Sequence, residues 1–568
     1  MTTIDTRPDA APASAGQPSD AAPRDSAVAS FFIGAADWVT TTDHKKIGRL
    51  YVGVGLLLLA ATSVLALLLG LERADDTAAL LEASALLQAF QAYRLGLVLG
   101  VLAPLGLGLA VAVTPLQLGA RSIAFPRLAL TGFYSWFGGM TLALVALGRN
   151  GGVGGGDTQA VHMYLAGLGL AVLGLTATAG CVATSVLTTR APGMTMRRVP
   201  LFAWSSLIGA LGLVLMLPVV FAVIVLVFVD LRLGLGESGN FGGVEGIGAW
   251  LAWPFSVPAA VVFAIPAIGV AAELMPVAFK ARQVLRGVAF AAIALVGVTA
   301  LAATTQQYVF TVEFDTSGEA FLRGAVPFAI FAGLPLLGVT LTLLLGLGSA
   351  RQGQGRPAVS APFVFSLLGL LMIAVGIAGN LLLGIVDLEL VDPVAKTVSA
   401  LEEGATVYVA YGTALCVMGG LVFWAPKLWG RTLPDKQVLP LALLGFLGTV
   451  LASLPLYVAG FLDQAGGVPS TDADIARLLS IVQVDGGSIW IVLSLIGHGL
   501  VALTVLAFAG LLFRAVTGSD VIAEQNPYGG HTIEWGTTSP APVHNFEHVP
   551  TVSSPEPRLD LTLEGSQS

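Results

Sequence analysis

The chain has 568 residues, of which 55% are hydrophobic and only 11% are charged, and it has a formal net charge of −8 and a mean hydropathy of +0.84. Soluble globular domains carry roughly 25% charged residues, so the composition excludes an ordinary soluble protein. The net charge implies no particular partner, and nothing in the sequence indicates nucleic-acid binding. The chain is therefore predicted to be an integral membrane protein.

In chain order, the sequence predicts a disordered cytoplasmic tail over 1–40, an all-α transmembrane domain over 41–518 and a second cytoplasmic tail over 519–568. The first tail is rich in Ala, Pro, Asp and Ser and lacks the apolar core of a signal peptide. The central domain contains twelve apolar runs long enough to cross a bilayer. These spans are predicted at 48–71, 88–116, 128–149, 162–188, 203–231, 250–278, 286–310, 320–350, 361–388, 404–426, 437–465 and 487–516.

The charges of the connecting loops predict the orientation of the bundle. Lys45, Lys46 and Arg49 precede the first span, and basic residues recur after every second span. The alternate loops are acidic or neutral, as at 72–76 and 386–392. Because cytoplasmic loops of membrane proteins carry the excess of Lys and Arg, we expect both termini to lie in the cytoplasm.

Two adjacent carboxamides, Gln306 and Gln307, interrupt the seventh apolar run. One interpretation is structural: their amides form hydrogen bonds across helices. The other is a candidate polar pocket that binds a small molecule or an ion. This pocket would consist of Thr304, Thr305, Gln306, Gln307 and Tyr308.

Other polar residues in the spans favour structural roles. Tyr93 and Arg94 are predicted to be a pair at the outer membrane interface, with the arginine extended toward water. Glu402 and Glu403 are predicted to be solvated at the outer mouth of the tenth span. The isolated residues interpreted as structural are Glu273, His162, His498, Cys181 and Cys416.

Five segments resemble subunit I of the haem–copper terminal oxidases of the cytochrome c oxidase type, and they occur in the order of that family. The resemblance covers most of the chain and implies a twelve-helix bundle. The segments are "DWVTTTDHKKIGRLY" (37–51), "TPLQLGARSIAFPRL" (114–128), "AIPAIGVAAELMP" (264–276), "FWAPKLWGR" (423–431) and "NPYGGHTIEWGTTSPAPVHNF" (526–546).

The resemblance also implies a set of cofactor positions. Members of this family hold two haems and one copper ion through histidines. Counting from the matched segments, Tyr93, Gly404 and Thr406 occupy the haem-ligand positions of this chain. Val257, Gln306 and Gln307 occupy the copper-ligand positions in the same way.

Further positions of functional residues in the family are also changed. The proton-relaying glutamate and the cross-linked tyrosine of the sixth helix correspond to Ala259 and Val261. The entrances of the two proton paths correspond to Phe331 and Ser122, and the two propionate-binding arginines to Ser470 and Thr471.

From these substitutions we expect no catalytic residue, no cofactor and no metal site. The leading hypothesis is a catalytically silent subunit I-like membrane protein that serves as a scaffold or accessory subunit of a respiratory-type assembly. One alternative is a membrane binding or transport protein that uses the former cofactor cavity. A second is a functional cytochrome c oxidase subunit I, which transfers electrons to oxygen and pumps protons.

The same reasoning gives the expected surroundings of the chain. Its partners are predicted to be membrane lipids and subunit II- or III-like oxidase proteins, and no nucleic acid. We expect a multi-pass protein of the bacterial plasma membrane.

Overall fold

A computed structural model describes residues 34, 36–74, 81–152, 156–234, 257–304, 326–353, 358–386, 400–461, 487–518 and 523–567. Within these ranges the regular structure is helical and contains no strand. The predicted all-α class is therefore confirmed.

Twelve helical segments, α1 to α12, follow one another along the chain. Two of them contain π-helical or 3-10 turns: Gly96–Leu102 within α2, and Ala329–Gly333 within α8 and Ser349–Gln352 at its end. The segments are α1 (His44–Ala74), α2 (Ala83–Leu95 and Ala103–Leu118 around its π turn), α3 (Pro126–Leu147), α4 (Thr158–Thr188), α5 (Leu201–Leu233), α6 (Val257–Ala278), α7 (Arg286–Val296 and Thr299–Thr304), α8 (Val326–Gln352), α9 (Ala361–Val386), α10 (Ala400–Trp429), α11 (Asp435–Phe461) and α12 (Gly487–Thr517).

Each predicted span coincides with one of these segments. In the part of the chain that the structure describes, 11 helices are long and apolar enough to cross a membrane. The remaining segment, α7, is interrupted between Val296 and Thr299 and is described as far as Thr304. Continuous helices satisfy their own backbone hydrogen bonds, which is why apolar runs of this length adopt them in lipid.

Three helices form the centre of the bundle. The apolar windows of α2, α6 and α10 are 100% buried, whereas those of the other spanning helices are 28% to 67% buried. All three contain several Ala residues, and α2 and α10 each contain four Gly residues. Small residues let neighbouring helices approach closely in a membrane, so these sequences suit central positions.

Glycines set the contact between α9 and α10. A methyl group added to Gly369 would lie 2.6 Å from the carbonyl oxygen of Gly412, and one added to Gly412 would lie 2.8 Å from that of Gly369. Farther along, a methyl group on Gly376 would lie 2.9 Å from the carbonyl oxygen of Ala405. The two backbones are thus in direct contact along this face.

The C-terminal residues 523–562, here called the cap, pack on the end of the bundle at which α1 begins and α10 ends. The Lys45 ammonium donates to the carbonyl oxygens of Pro542 and Val543 at 3.1 and 3.2 Å. The Lys427 ammonium of α10 donates to the carbonyl oxygen of Thr537 at 2.6 Å. The cap therefore satisfies buried cations from two helices.

Ion pairs attach the end of the cap to the start of α7. Arg282 pairs with Asp560 and with Glu556, the latter at 3.8 Å, and Arg286 pairs with Glu556 at 3.7 Å. These arginines lie in a loop that the charge pattern assigns to the cytoplasm. This basic segment thus lies at the capped end of the bundle, and its location in the cytoplasm stays a prediction.

The glycine contact gives a first testable prediction. Gly412→Val should lower the thermal midpoint of the full chain in detergent, because overpacking a tight contact costs about 1–3 kcal/mol. Gly510→Val on α12 is the matched control, since nothing lies within 4 Å of a methyl group added there. Equal midpoints for the two variants would contradict the proposed role of the contact.

A second prediction concerns acid. Burial, followed by the charge of Arg282, lowers the pKa of His531 in the cap from 6.5 to about 4. The unfolded chain therefore binds the extra proton first, so this contribution to stability is complete above about pH 6.5 and is lost as the pH falls toward 4. We expect the thermal midpoint of the native chain to fall more between pH 7 and pH 4.5 than that of His531→Gln.

The difference between the native chain and His531→Gln measures the contribution of His531 to the pH dependence of the thermal midpoint. Burial raises the pKa of Glu534 and Glu556, so these groups contribute to the same pH range with the opposite sign. A larger fall for His531→Gln than for the native chain would refute the prediction.

Candidate functional site

Tyr93 lies inside the bundle and not at its surface. It is on α2, three residues before the π-helical turn, and its side chain is 2% exposed. The interpretation of Tyr93 as an interfacial residue is therefore wrong. The sequence showed a tyrosine beside an arginine, but it did not show that the adjacent helices cover this face of α2.

A histidine from the last helix packs against Tyr93. His498 of α12 is 4% exposed, and its ring centroid lies 6.1 Å from that of Tyr93 in an edge-to-face arrangement. The Nδ1 atom of His498 and the hydroxyl group of Tyr411 are hydrogen-bonded at 2.7 Å. This leaves Nε2 as the second polar atom of the ring. Sequence reasoning missed this contact because the residues are far apart in the chain.

Two ion pairs connect the first turn of α10 to α1 and α2. Arg94 donates to Glu402 at 2.8 Å, and Arg73 donates to Glu403 at 3.1 Å. All four side chains are between 11% and 16% exposed. The expectation of solvated glutamates is therefore wrong. Charged side chains in such surroundings are costly unless they are paired, which explains the two arginines.

A small cleft lies between these groups. Its polar lining comes from Arg73, Tyr93, Glu403, Ser494 and His498, and its apolar walls come from α1, α2 and α12. The cleft has room for about one water molecule. The hydroxyl group of Tyr93 is buried and has no hydrogen-bond partner in the described structure. The geometry thus brings an unpaired donor, an imidazole and an ion pair to one small space.

The haem-ligand positions on α10 are closely packed. A methyl group on Gly404 would lie 2.8 Å from the ring of Tyr457 and 2.9 Å from the carbonyl oxygen of Ser453. The Thr406 hydroxyl donates to the carbonyl oxygen of Glu402 at 3.0 Å. There is no room at Gly404 for a ligand side chain in this packing.

The described copper position is apolar. Val257 begins α6 and is fully buried, with Ala259 and Val261 beside it at 1% and 2% exposure. The other two copper positions, Gln306 and Gln307, lie outside the described residues. So do Thr305, Tyr308 and the side chain of Thr304, and with them the candidate polar pocket.

Of the other family positions, some lie within the described residues and some lie outside them. Phe331 lies on the π-helical turn of α8, and the hydroxyl group of Ser122 is buried without a partner in the described structure. Ser470 and Thr471 lie outside the described residues. Glu273 accepts hydrogen bonds from the backbone N–H groups of Leu201 and Phe202 at 2.9 and 3.3 Å.

The described residues at these positions do not fit the cofactors of the resembled family. Haem iron takes an imidazole, thiolate, thioether or phenolate ligand, and Gly404 and Thr406 offer none of these. Tyr93 has a phenol oxygen, but the cleft beside it is far smaller than a porphyrin. Val257 offers no donor to copper.

Comparison with known proteins shows which family this chain is similar to. The family model of cytochrome c and quinol oxidase polypeptide I matches residues 46–500. The chain is 27% identical to cytochrome c oxidase subunit 1 of Corynebacterium glutamicum over 93% of this chain and 89% of the relative. It is 26% identical to the same subunit of Corynebacterium diphtheriae over 93% and 92%.

A solved structure shares the fold. It is a cryo-EM structure of a haem–copper terminal oxidase dimer, with a TM-score of 0.62, 13% identity and coverage of 88% of both chains. At this identity the likeness concerns the fold alone.

These comparisons contradict the expectation that the chain uses no cofactor, because the matched family and the structural neighbour are oxidases and the neighbour is a haem–copper protein. The expectation rested on six positions and left out donors from elsewhere in the bundle, such as His498. The match over 46–500 spans most of the chain. The chain therefore belongs to the cytochrome c and quinol oxidase polypeptide I family.

Proposed function

We propose that this chain is a subunit I-like membrane protein that does not itself reduce oxygen and acts as a structural partner in a respiratory-type assembly. The observation that carries the proposal is the packing around Gly404, where even a methyl group would lie 2.8 Å from Tyr457. A helix that gripped an iron between its neighbours would need a donor side chain and space at this position.

The contacts of the cap support a role in assembly. Two of the segments that resemble the family, 37–51 and 526–546, contain residues that close one end of the bundle. His44 and Asn545 are hydrogen-bonded at 3.0 Å, and Asn545 donates to the carbonyl oxygen of Ala120 at 2.7 Å. These contacts maintain the shape of a subunit I surface whatever the chemistry of the interior.

The proposal extends to surroundings and partners. The apolar helices suit a multi-pass protein of a bacterial plasma membrane, with the cap in the cytoplasm. Subunit II- or III-like chains are the expected partners. The packing at Gly404 bears on an iron ligand at that position of α10, and the proposal is compatible with a haem held by donors elsewhere in the bundle.

The names of the relatives favour a different function, electron transfer to oxygen. One experiment separates the two. The tagged full chain is purified in a mild detergent, its partners are identified by mass spectrometry, and oxygen uptake is measured with an artificial electron donor before and after the partners are removed.

We expect the mild preparation to contain other oxidase subunits, and any oxygen uptake to leave with them. Uptake by the chain alone, in proportion to its concentration, would establish the oxidase function instead. Isolation as a lone monomer in mild detergent would remove the assembly role.

The cleft beside Tyr93 favours a second candidate function, the binding of a small solute within the bundle. A buried hydroxyl group without a partner costs about 1–3 kcal/mol, and a guest that accepts its hydrogen bond would recover this. The space admits a molecule of about the size of water. A quinone headgroup or a lipid chain is too large for it.

Tyr93→Phe tests this candidate. If a guest accepts the hydrogen bond of Tyr93, removal of the hydroxyl group should lower the thermal midpoint of the full chain. The matched control is Tyr457→Phe, which loses a direct bond to the carbonyl oxygen of Val375 at 3.0 Å. A midpoint that is unchanged or higher in Tyr93→Phe, with a lower one in Tyr457→Phe, would mean that the hydroxyl group has no partner and would remove the candidate.

A further inference from the structure

A buried carboxyl group joins the cap to the centre of the bundle. Glu534 lies in the 3-10 turn Ile533–Gly536 of the cap and is fully buried. It contacts Gln117 near the end of α2 and Trp424 near the end of α10. Glu534 lies outside the spanning helices and takes no part in the functions considered above.

The two oxygens of this carboxyl group have different surroundings. Oε1 accepts three hydrogen bonds, from Thr532 Oγ1 at 2.7 Å, Trp424 Nε1 at 3.1 Å and Gln117 Nε2 at 3.3 Å. Oε2 is buried and has no donor in the described structure. The amide oxygen of Gln117 is also buried and has no donor there.

Glu534 and Gln117 are therefore bonded to each other through Oε1 and Nε2, while Oε2 of Glu534 and the amide oxygen of Gln117 each lack a donor in the described structure. An ionised carboxylate and an amide oxygen only accept hydrogen bonds, but a protonated carboxyl group has one O–H to donate. A proton on Oε2 would turn this oxygen into a donor, and its O–H group would then donate to the amide oxygen of Gln117. Leaving both acceptors unpaired would cost the desolvation of each, about 1–3 kcal/mol per group.

We propose that Glu534 is a neutral carboxylic acid whose Oε2–H donates to the amide oxygen of Gln117. With the existing bond from Gln117 Nε2 to Oε1, this forms a reciprocal acid–amide pair. The pair is a proton-binding site that fastens the cap to α2. It stands independently of whether the chain reduces oxygen.

Charges of both signs lie near Glu534: the ammonium group of Lys427 favours its ionised form, and the carboxyl group of Glu273 opposes it. In the described structure, no cation is hydrogen-bonded to Glu534. On α10, Lys427 directs its ammonium group to Thr537 and Ser539 of the cap at 2.6 and 3.3 Å. On α6, Glu273 contributes negative charge toward Glu534. Arg558 of the cap lies near Lys427 and adds positive charge. On α2, the group that contacts Glu534 is the uncharged amide of Gln117.

The pKa of Glu534 is shifted in the direction that favours a neutral acid. Burial raises the pKa of Glu534, and the hydrogen bonds from Thr532, Trp424 and Gln117 offset only part of this. The folded chain therefore holds the proton at pH values where the unfolded chain, with a pKa near 4.5, has lost it. The contribution of the pair to cap docking is complete at low pH and is lost as the pH rises through the folded pKa.

Infrared difference spectroscopy of the full chain tests the proton directly. At neutral pH, the native protein should show a protonated carboxyl C=O band that Glu534→Gln lacks. Glu547→Gln, which changes an exposed carboxyl group of the same cap, should keep the band. Trypsin cleavage after Arg558 measures cap release in the same three proteins.

We expect cleavage of the native protein and of Glu547→Gln to accelerate several-fold relative to Glu534→Gln as the pH rises above the unfolded pKa near 4.5, because the released cap loses its proton there while the amide side chain of Glu534→Gln stays neutral. The acceleration should end in the pH range in which the infrared band of the native protein disappears. An unchanged infrared spectrum in Glu534→Gln, or rapid cleavage of this variant at pH 7, would show that Glu534 is ionised and would overturn the proposal.

A second variant covers the case in which Glu534→Gln does not fold. Gln117→Leu keeps the acid but removes its acceptor, so the carboxyl band should shift to higher wavenumber as the hydrogen bond is lost. A band at the native position in Gln117→Leu would exclude the acid–amide pair.

Discussion

Burial away from water is the constraint on which the rest of this structure depends. Inside the bundle, a charged or polar group that lacks a partner in the protein is costly, because lipid offers none. The first turn of α10 shows this most clearly, since Glu402 and Glu403 are paired with Arg94 and Arg73 from two other helices. These pairs hold α1, α2 and α10 together around the cleft and determine which groups face it.

The same constraint explains how much could be predicted from the sequence. The twelve spans were predictable because a bilayer needs long apolar runs and the runs are local in sequence. The partners of Tyr93 were not, because His498 comes from the last helix and meets Tyr93 only after the bundle has formed. Glu402 and Glu403 were misinterpreted for the same reason. A pair of glutamates beside an outer loop is typical of solvated residues until their arginines are placed in three dimensions.

The cofactor expectation failed in a different way. It treated each family position as a separate site, so that a missing histidine meant a missing ligand. The fold belongs to a family of oxidases, and in a bundle of this size a donor can come from another helix. His498 demonstrates that an imidazole outside the family positions can lie beside Tyr93. At Gly404, in contrast, a family position is closed to a ligand, because its surroundings leave no space for a donor side chain on α10.

The capped end and the interior of the bundle differ in their polar contacts. At the capped end, Lys45 donates to Asn545 and Lys427 donates to Thr537, and these residues lie in segments that resemble the family. A change there would leave a buried cation or amide without a partner, which costs several kcal/mol for a charge. In the interior, small apolar residues leave no polar group to satisfy and allow close helix contacts, as between α9 and α10 at Gly369 and Gly412. A substitution at an apolar interior position therefore leaves no unpaired polar group, whereas removal of one partner of a cap contact leaves a buried polar or charged group without its hydrogen bond.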